Sequence, residues 1–238
     1  MIERLFERGF AIVAHRGGKG EVAENTIKAM RHALEVGADT IEVDLRQTKE
    51  GALILLHDPD FKRVAGVDAR PGDLELSWIK ERIRIFGSEP VPTLEEVLET
   101  VNGQVPLFLE IKEEGIEELV VERVRKMQAQ RWCVIISFFD SVIKNAKALD
   151  PSLHTGLIYN RLPDKVLEAR ALGATFILPR YDLITSEMIA LAHKNHLKAI
   201  TWTVDDAELL MRLVSYGIDG VATDYPKKFV RLREKMLE

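Results

Sequence analysis

Thr40, Ile41, Glu42, Val43, Asp44, Leu45 and Arg46 alternate polar and apolar residues, the period of two that marks a strand with unlike faces. Glu42 and Asp44 are two positions apart, so both carboxylates project to one side. Thr48, Lys49, Glu50 and Gly51 are too few for a helical crossover, and the apolar run from Leu53 to His57 is predicted to return antiparallel. A turn centred on Lys49 and Glu50 brings His57 roughly level with Glu42. Two like charges and an imidazole then share one place, an arrangement that is costly unless a cation joins them.

Elsewhere the pattern alternates between strand and helix. Residues 11–15 form a short apolar strand that ends on a polar cluster. Asn25 or Thr26 caps a helix whose stripe is Ile27, Met30, Ala33 and Leu34, and Gly37 stops it. Residues 58–92 have no sustained period and read as an excursion with a small helix near 77–85. Thr93 and Glu96 make a capping box for a helix to about Val101. Further strands are predicted at 107–111, 134–138, 156–159, 175–178, 199–204 and 220–223. Helices fall at 116–127, at 141–149, at 163–172 opened by Pro163, from Thr185, and from Asp205 with Glu208 completing a box.

VGADTIEVD, LGATFILPR and YGIDGVATD echo one another: a helix end, a glycine, a brief turn and an apolar strand. Repeated units of this kind and eight parallel-type strands predict a (β/α)8 TIM barrel with a short insertion after the second-strand hairpin. All of residues 1–238 then form one catalytic domain, with 58–92 capping the C-terminal face of the barrel. A doubly wound open sheet is the alternative, but no glycine-rich dinucleotide fingerprint accompanies it. Barrels place their chemistry at strand C-termini. There the chain offers His15 with Arg16, Glu42 with Asp44, Glu110 with Lys112, and later Arg180, Trp202 and Asp224.

Composition narrows the function. The formal charge of −5 argues against a nucleic-acid binder, and a hydrophobic content of 46% suffices for a full core. The single cysteine, Cys133, excludes an intrachain disulfide. No apolar run near the N-terminus is long enough for a signal or a membrane span, so a cytoplasmic protein without stable membrane insertion is expected.

The ordered set of motifs resembles the glycerophosphodiester phosphodiesterase family. The resemblance rests on His15, Arg16 and Gly17; Glu24, Asn25 and Thr26; Gly37, Ala38 and Asp39; and Ile41 to Asp44. His57 and Asp58, the stretch from Pro92 to Leu98, Glu110 to Lys112, Trp202 to Val204 and Thr223 to Pro226 continue it almost end to end. The resemblance implies a metal-dependent hydrolase that cleaves a small glycerophosphodiester into glycerol phosphate and an alcohol. It implies Glu42, Asp44 and Glu110 as ligands of a divalent cation, Mg²⁺ or Ca²⁺, and His15 and His57 as the acid–base pair. Arg16 and Lys112 become phosphate or charge-balancing groups, and Trp202 a wall for the glycerol. Ala23, Asp205 and the short excursion depart from the family pattern, and the last of these bears on the alcohol, whose side the excursion is expected to cover. A related lyase that stops at a cyclic phosphate and a non-enzymatic sensor of phosphorylated metabolites are the competing readings. Oligomeric state stays open at this stage.

Overall fold

The computed structural model describes residues 2–237. In chain order the elements are β1 (Ala11–Ala14), α1 (Ile27–Glu35), β2 (Thr40–Gln47), β3 (Leu53–Leu55), α2 (Lys62–Ala65), α3 (Leu76–Arg82), β4 (Arg84–Ile85) and β5 (Glu89–Pro90). They continue with α4 (Leu94–Val101), β6 (Leu107–Ile111), α5 (Glu117–Lys126), β7 (Cys133–Ser137), α6 (Asp140–Leu149), β8 (His154–Tyr159) and α7 (Val166–Ala171). The chain ends with β9 (Phe176–Pro179), α8 (Ser186–Lys194), β10 (Lys198–Thr201), α9 (Ala207–Ser215), β11 (Gly220–Thr223) and α10 (Pro226–Leu237).

β1 pairs in parallel with both β11 and β2, so the order β1-β11-β10-β9-β8-β7-β6-β2 closes on itself. That closure makes a (β/α)8 barrel of eight parallel strands and excludes the open doubly wound sheet. The pleat sorts the side chains. Ile41, Val43 and Leu45 of β2 pack outward beneath the helices, whereas Val13, Phe108, Ile136, Ile158 and Phe176 fill the interior. The rings of Phe108 and Phe176 are tilted at 5.2 Å between centroids, a favourable aromatic geometry. Ile2 and Leu5, on a 3-10 turn over Ile2–Phe6, join this interior cluster and close the end of the barrel opposite the strand C-termini. The charges of that segment concealed its apolar face.

The three echoed junctions share their cause. Gly37, Gly173 and Gly217 sit at φ 78°, 72° and 88°, the left-handed turn that releases each helix into the following strand. Thr93 and Glu96 exchange both capping-box bonds. Three local expectations are corrected. Pro163 does not open α7, which begins at Val166. Asp206, not Asp205, caps α9, because Asp205 Oδ1 instead accepts Thr223 Oγ1 and the Asp224 N–H. In the hairpin, Leu45 pairs with Leu55 and Gln47 with Leu53, which sets His57 opposite Val43, one residue away from the expected partner Glu42. Residues 58–92 hold α2, α3 and the β4–β5 ribbon, and Phe61, Val64, Ile79 and Ile83 pack there around Ile54 and Leu56.

Candidate active site

Strand register decides which polar residues meet. Asp44 on β2 pairs with Glu110 on β6. Ala14 pairs with both Ile41 and Thr223, so the next residue, His15, comes level with Glu42 on one side and Asp224 on the other. Just past β1 the chain turns sharply, with Arg16 at φ 52° and Gly17 at φ 78°. A Cβ on Gly17 would stand 2.6 Å from Ala29 Cβ, so only glycine lets this turn press against α1. The turn returns Arg16 to β2: its N–H donates to Glu42 Oε2 at 2.9 Å, and its Nε lies 3.3 Å from Asp44 Oδ2.

Glu42, Asp44 and Glu110 are buried and offer ligand oxygens within 4.8 Å of one another. Asn25, at φ 54°, clamps Asp44 by donating Nδ2 to Oδ2 at 2.8 Å and accepting the Asp44 N–H at 3.2 Å. Thr26, not Asn25, is the N-cap of α1. Lys112 Nζ lies 2.5 Å from Glu110 Oε1 and 3.4 Å from Asp44 Oδ1. Burial pushes Glu42 well above the usual carboxylate range, and the charges of Asp44 and Glu110 push it further. Burial likewise raises Glu110 to about 7, against the pull of Lys112. For Asp44 burial acts upward too, but Lys112 and Arg16 outweigh it and hold the group at about 2. Ionising all three carboxylates together therefore costs more than the two basic side chains offset. Glu42 Oε1 and Asp44 Oδ1 are also buried without a hydrogen-bond partner, an arrangement that costs free energy in a bare protein. An all-oxygen donor set with two unsatisfied atoms fits a hard divalent cation.

Two imidazoles face the same cavity of about 290 Å³, lined also by Arg16, Lys19, Glu42, Glu110 and Lys112. His15 Nδ1 donates to Asp224 Oδ1 at 2.6 Å, and His57 Nδ1 donates to Asp58 Oδ1 at 2.7 Å. Ionised carboxylates only accept, so each Nδ1 carries a proton and each Nε2 is left for the cavity, that of His15 standing 3.9 Å from Glu42 Oε2. Burial lowers the pKa of both rings; at His15 the hydrogen bond to Asp224 opposes this, and at His57 the charge of Asp44 does. The opposite wall is apolar, built from Ile136, Phe138, Ile158, Leu178, Ile200 and Trp202. Trp202 donates Nε1 to Leu178 O at 2.8 Å and meets Phe138 edge-on at 5.6 Å.

His15, Arg16, Glu42, His57, Glu110, Lys112 and Trp202 therefore line one cavity, and Asp44 lies beneath it in the carboxylate cluster. Arg180 is elsewhere, paired with Asp182 at 2.7 Å. His32 and His193 are bound to Glu21 and Asp219. Sequence reasoning placed Asp224 among the strand-end polar residues but did not find what it and the other supporting residues hold. Asp58 and Asp224 brace the imidazoles, Glu24 accepts Arg16 NH1 at 3.0 Å, and Arg63 reaches both Glu24 and Asp58. Asp58 and Glu24 stood inside the quoted motifs. The partner of Asp224 becomes visible only once β11 is set beside β1.

A closed parallel barrel with this polar centre at its C-terminal mouth has the layout of a barrel enzyme. The chain belongs to the glycerophosphoryl diester phosphodiesterase family, whose profile matches residues 15–228. It is 33% identical over 237 residues to a glycerophosphodiester phosphodiesterase of Caldanaerobacter subterraneus, covering 94% of this chain and 98% of that one. Among solved structures, a glycerophosphodiester phosphodiesterase from Thermotoga maritima is 25% identical with a TM-score of 0.81, covering 94% of this chain and 98% of that one. An Oleispira antarctica phosphodiesterase, solved with the product sn-glycerol-3-phosphate, superposes with a TM-score of 0.86 at 24% identity, covering 94% and 96% of the two chains.

Proposed function

We propose that this protein hydrolyses glycerophosphodiesters to glycerol phosphate and an alcohol, with His15 and His57 as the acid–base pair beside a divalent cation held by Glu42, Asp44 and Glu110. The observation that carries the reading is the pairing of two carboxylate-braced imidazoles with three clustered carboxylates in one cavity. A phosphodiester is anionic and its leaving alkoxide is poor, so the reaction needs charge neutralisation and proton transfer together. When bound, Mg²⁺ or Ca²⁺ supplies a positive charge to the phosphoryl oxygens. Arg16 and Lys112 add their own positive charge from the polar side of the cavity.

His15 Nε2 takes the proton of the glycerol hydroxyl next to the ester as that oxygen bonds to phosphorus. The bond to the alcohol breaks, and the departing oxygen receives the Nε2 proton of His57, which enters the step as the imidazolium with Nδ1 still on Asp58. Water then opens the cyclic phosphate: His57 accepts its proton, the ring P–O bond breaks, and His15 returns a proton to the freed glycerol oxygen. Each such transfer is typically worth about 10²–10⁴-fold in rate. The apolar wall with Trp202 at its rim carries the carbon face of the glycerol.

Chelation tests the centre. Stripping divalent ions is expected to abolish turnover of glycerophosphocholine, and Mg²⁺ or Ca²⁺ to restore it. Full activity in exhaustively chelated protein refutes the assignment of the three carboxylates. Release of a stable cyclic phosphate would favour the lyase reading instead. Among the described residues no helix is long and apolar enough to cross a membrane.

A further inference from the structure

Among the described residues lining the cavity none comes from 58–92, yet that segment reaches the centre through Asp58, which is bonded to His57, and through Arg63 behind it. Arg63, on α2, donates NH1 and NH2 to the two oxygens of Glu24 at 2.9 and 2.6 Å, and Nε to Asp58 Oδ2 at 2.6 Å. Glu24 is buried in the loop after β1 and is itself held by Arg16 at 3.0 Å. Asp58 carries His57 on its other oxygen at 2.7 Å. One guanidinium thereby joins a carboxylate fixed to the barrel to the carboxylate that orients an imidazole. The guanidinium makes three N–H bonds at once, two to Glu24 and one to Asp58; a lysine ammonium would keep the charge but lose the bidentate fork. This is not an ordinary exposed ion pair, because the fork is bidentate on a buried acid.

His57 needs such a tie. It lies beyond the last paired residue of β3, Leu55, and its side chain is 33% exposed against 12% for His15. Its backbone carbonyl is caught by Arg46 NH2 at 2.9 Å, which fixes the chain but leaves the ring free to turn. Asp58 sets the ring only if Asp58 is itself held, and Arg63 is the group that holds it.

We infer that Arg63 is a positioning residue for the acid–base step: anchored on Glu24, it fixes Asp58 so that the His57 ring keeps Nε2 turned to the cavity. The inference rests on the proposed role of His57 as the acid and gives the 58–92 segment a part in catalysis. The segment has its own apolar packing around Phe61, Val64 and Ile79, so loss of Arg63 leaves it folded.

The test compares Arg63→Gln with the parent on glycerophosphocholine, which leaves as a basic alkoxide, and on the nitrophenyl ester of glycerol phosphate, which leaves as a phenolate. On the first, kcat is expected to fall about 10–100-fold, the scale typical of lost outer-layer support, with KM unchanged. On the second, kcat is expected to hold. Arg63→Lys is expected to recover only part of the loss. In a His57→Ala background Arg63→Gln is expected to cost nothing further. Equal falls on the two substrates, or a full additional fall without His57, overturn the inference. Should Arg63→Gln fail to fold, Asp58→Asn cuts the same link without touching Glu24, and an absence of leaving-group dependence there overturns it equally. His57→Ala alone tests the underlying role: equal losses on both substrates refute His57 as the acid, whereas the coupling of Arg63 to His57 is read separately from the double variant.

Discussion

The two imidazoles of the cavity are braced alike at the first bond and differently beyond it. Each gives Nδ1 to an aspartate, and each aspartate gives its second oxygen to a cation, Lys19 at 3.2 Å from Asp224 and Arg63 at 2.6 Å from Asp58. The His15 arm belongs wholly to the barrel. Its carboxylate comes from the end of β11, and Asp205 Oδ1 accepts the Asp224 N–H at 2.8 Å. The His57 arm hangs from a hairpin and is tied back by a helix of 58–92. The barrel arm is set by strand register, which side-chain substitutions barely move. The hairpin arm is set by side-chain bonds, which single substitutions can cut.

The largest effects separate the rings themselves. His57→Ala is expected to lose about 10²–10⁴-fold on glycerophosphocholine and far less on a nitrophenolate-leaving substrate, which departs without a proton. His15→Ala, lacking the base, is expected to lose on both. The comparison is made at saturating Mg²⁺ and read as kcat. Equal losses for His57→Ala on the two substrates would break the division of roles.

One step smaller are the braces. Asp224→Asn and Asp58→Asn are each expected to lower kcat on glycerophosphocholine about 10–100-fold by freeing a ring. Asp224→Asn should lose on both substrates and Asp58→Asn on one. Asp224 favours the charged form of His15, so its neutralisation lowers that pKa further and moves the acid limb of the kcat/KM profile to lower pH. A limb that moves to higher pH would contradict the assigned hydrogen bond.

The centre shared by both arms responds to pH. With Glu42 raised and Glu110 raised to about 7, the cation-free protein keeps protons there that a hard cation must displace. Affinity for Mg²⁺ is therefore expected to climb between about pH 6 and about pH 8, by roughly tenfold per pH unit for each proton displaced. A folded-state carboxylate pKa above its unfolded value stabilises the fold at low pH, and that contribution is lost as pH rises through about 7. Calorimetric titration with proton counting, in two buffers of different ionisation enthalpy, checks the first expectation, and denaturant melts of chelated protein check the second. A pH-independent affinity would mean that the three carboxylates are already ionised together.

What could be read in advance follows the same division. Alternation in β2 and the glycine-turn junctions gave away the barrel, because side-chain period and left-handed turns are local properties. Glu42 and Asp44 were legible from their spacing, and His57 from the shortness of the turn. Lateral register between strands distant in sequence is not local: nothing near Asp224 says that it will stand beside His15, 209 residues away. Arg63 was hidden for another reason. It sits in a stretch without periodicity, where an arginine among acidic residues reads as a solvated charge. The one-residue error at His57 came from placing the turn centre half a residue early, at Lys49 and Glu50, which the pairing of Gln47 with Leu53 corrects.

The smallest expected effect bears on what 58–92 does. A segment that covers the leaving group should contain aromatics whose removal changes head-group preference, and Trp78 and Phe86 are its candidates. Trp78 instead stacks beneath the Arg82 guanidinium at 5.4 Å, and Phe86 is 53% exposed; neither is among the residues lining the cavity. If the segment acts through Arg63, Trp78→Ala should lower stability by about 1 kcal/mol through the lost stacking and leave the ratios of kcat/KM across choline, ethanolamine, glycerol and inositol head groups unchanged. Phe86→Ala should do less, within about 0.5 kcal/mol, since its ring is mostly in water. Denaturant melts give the first quantity and competition between paired head groups gives the second. Altered ratios with unaltered stability would put 58–92 over the substrate, and the His57 arm would then be a specificity element as well as a brace.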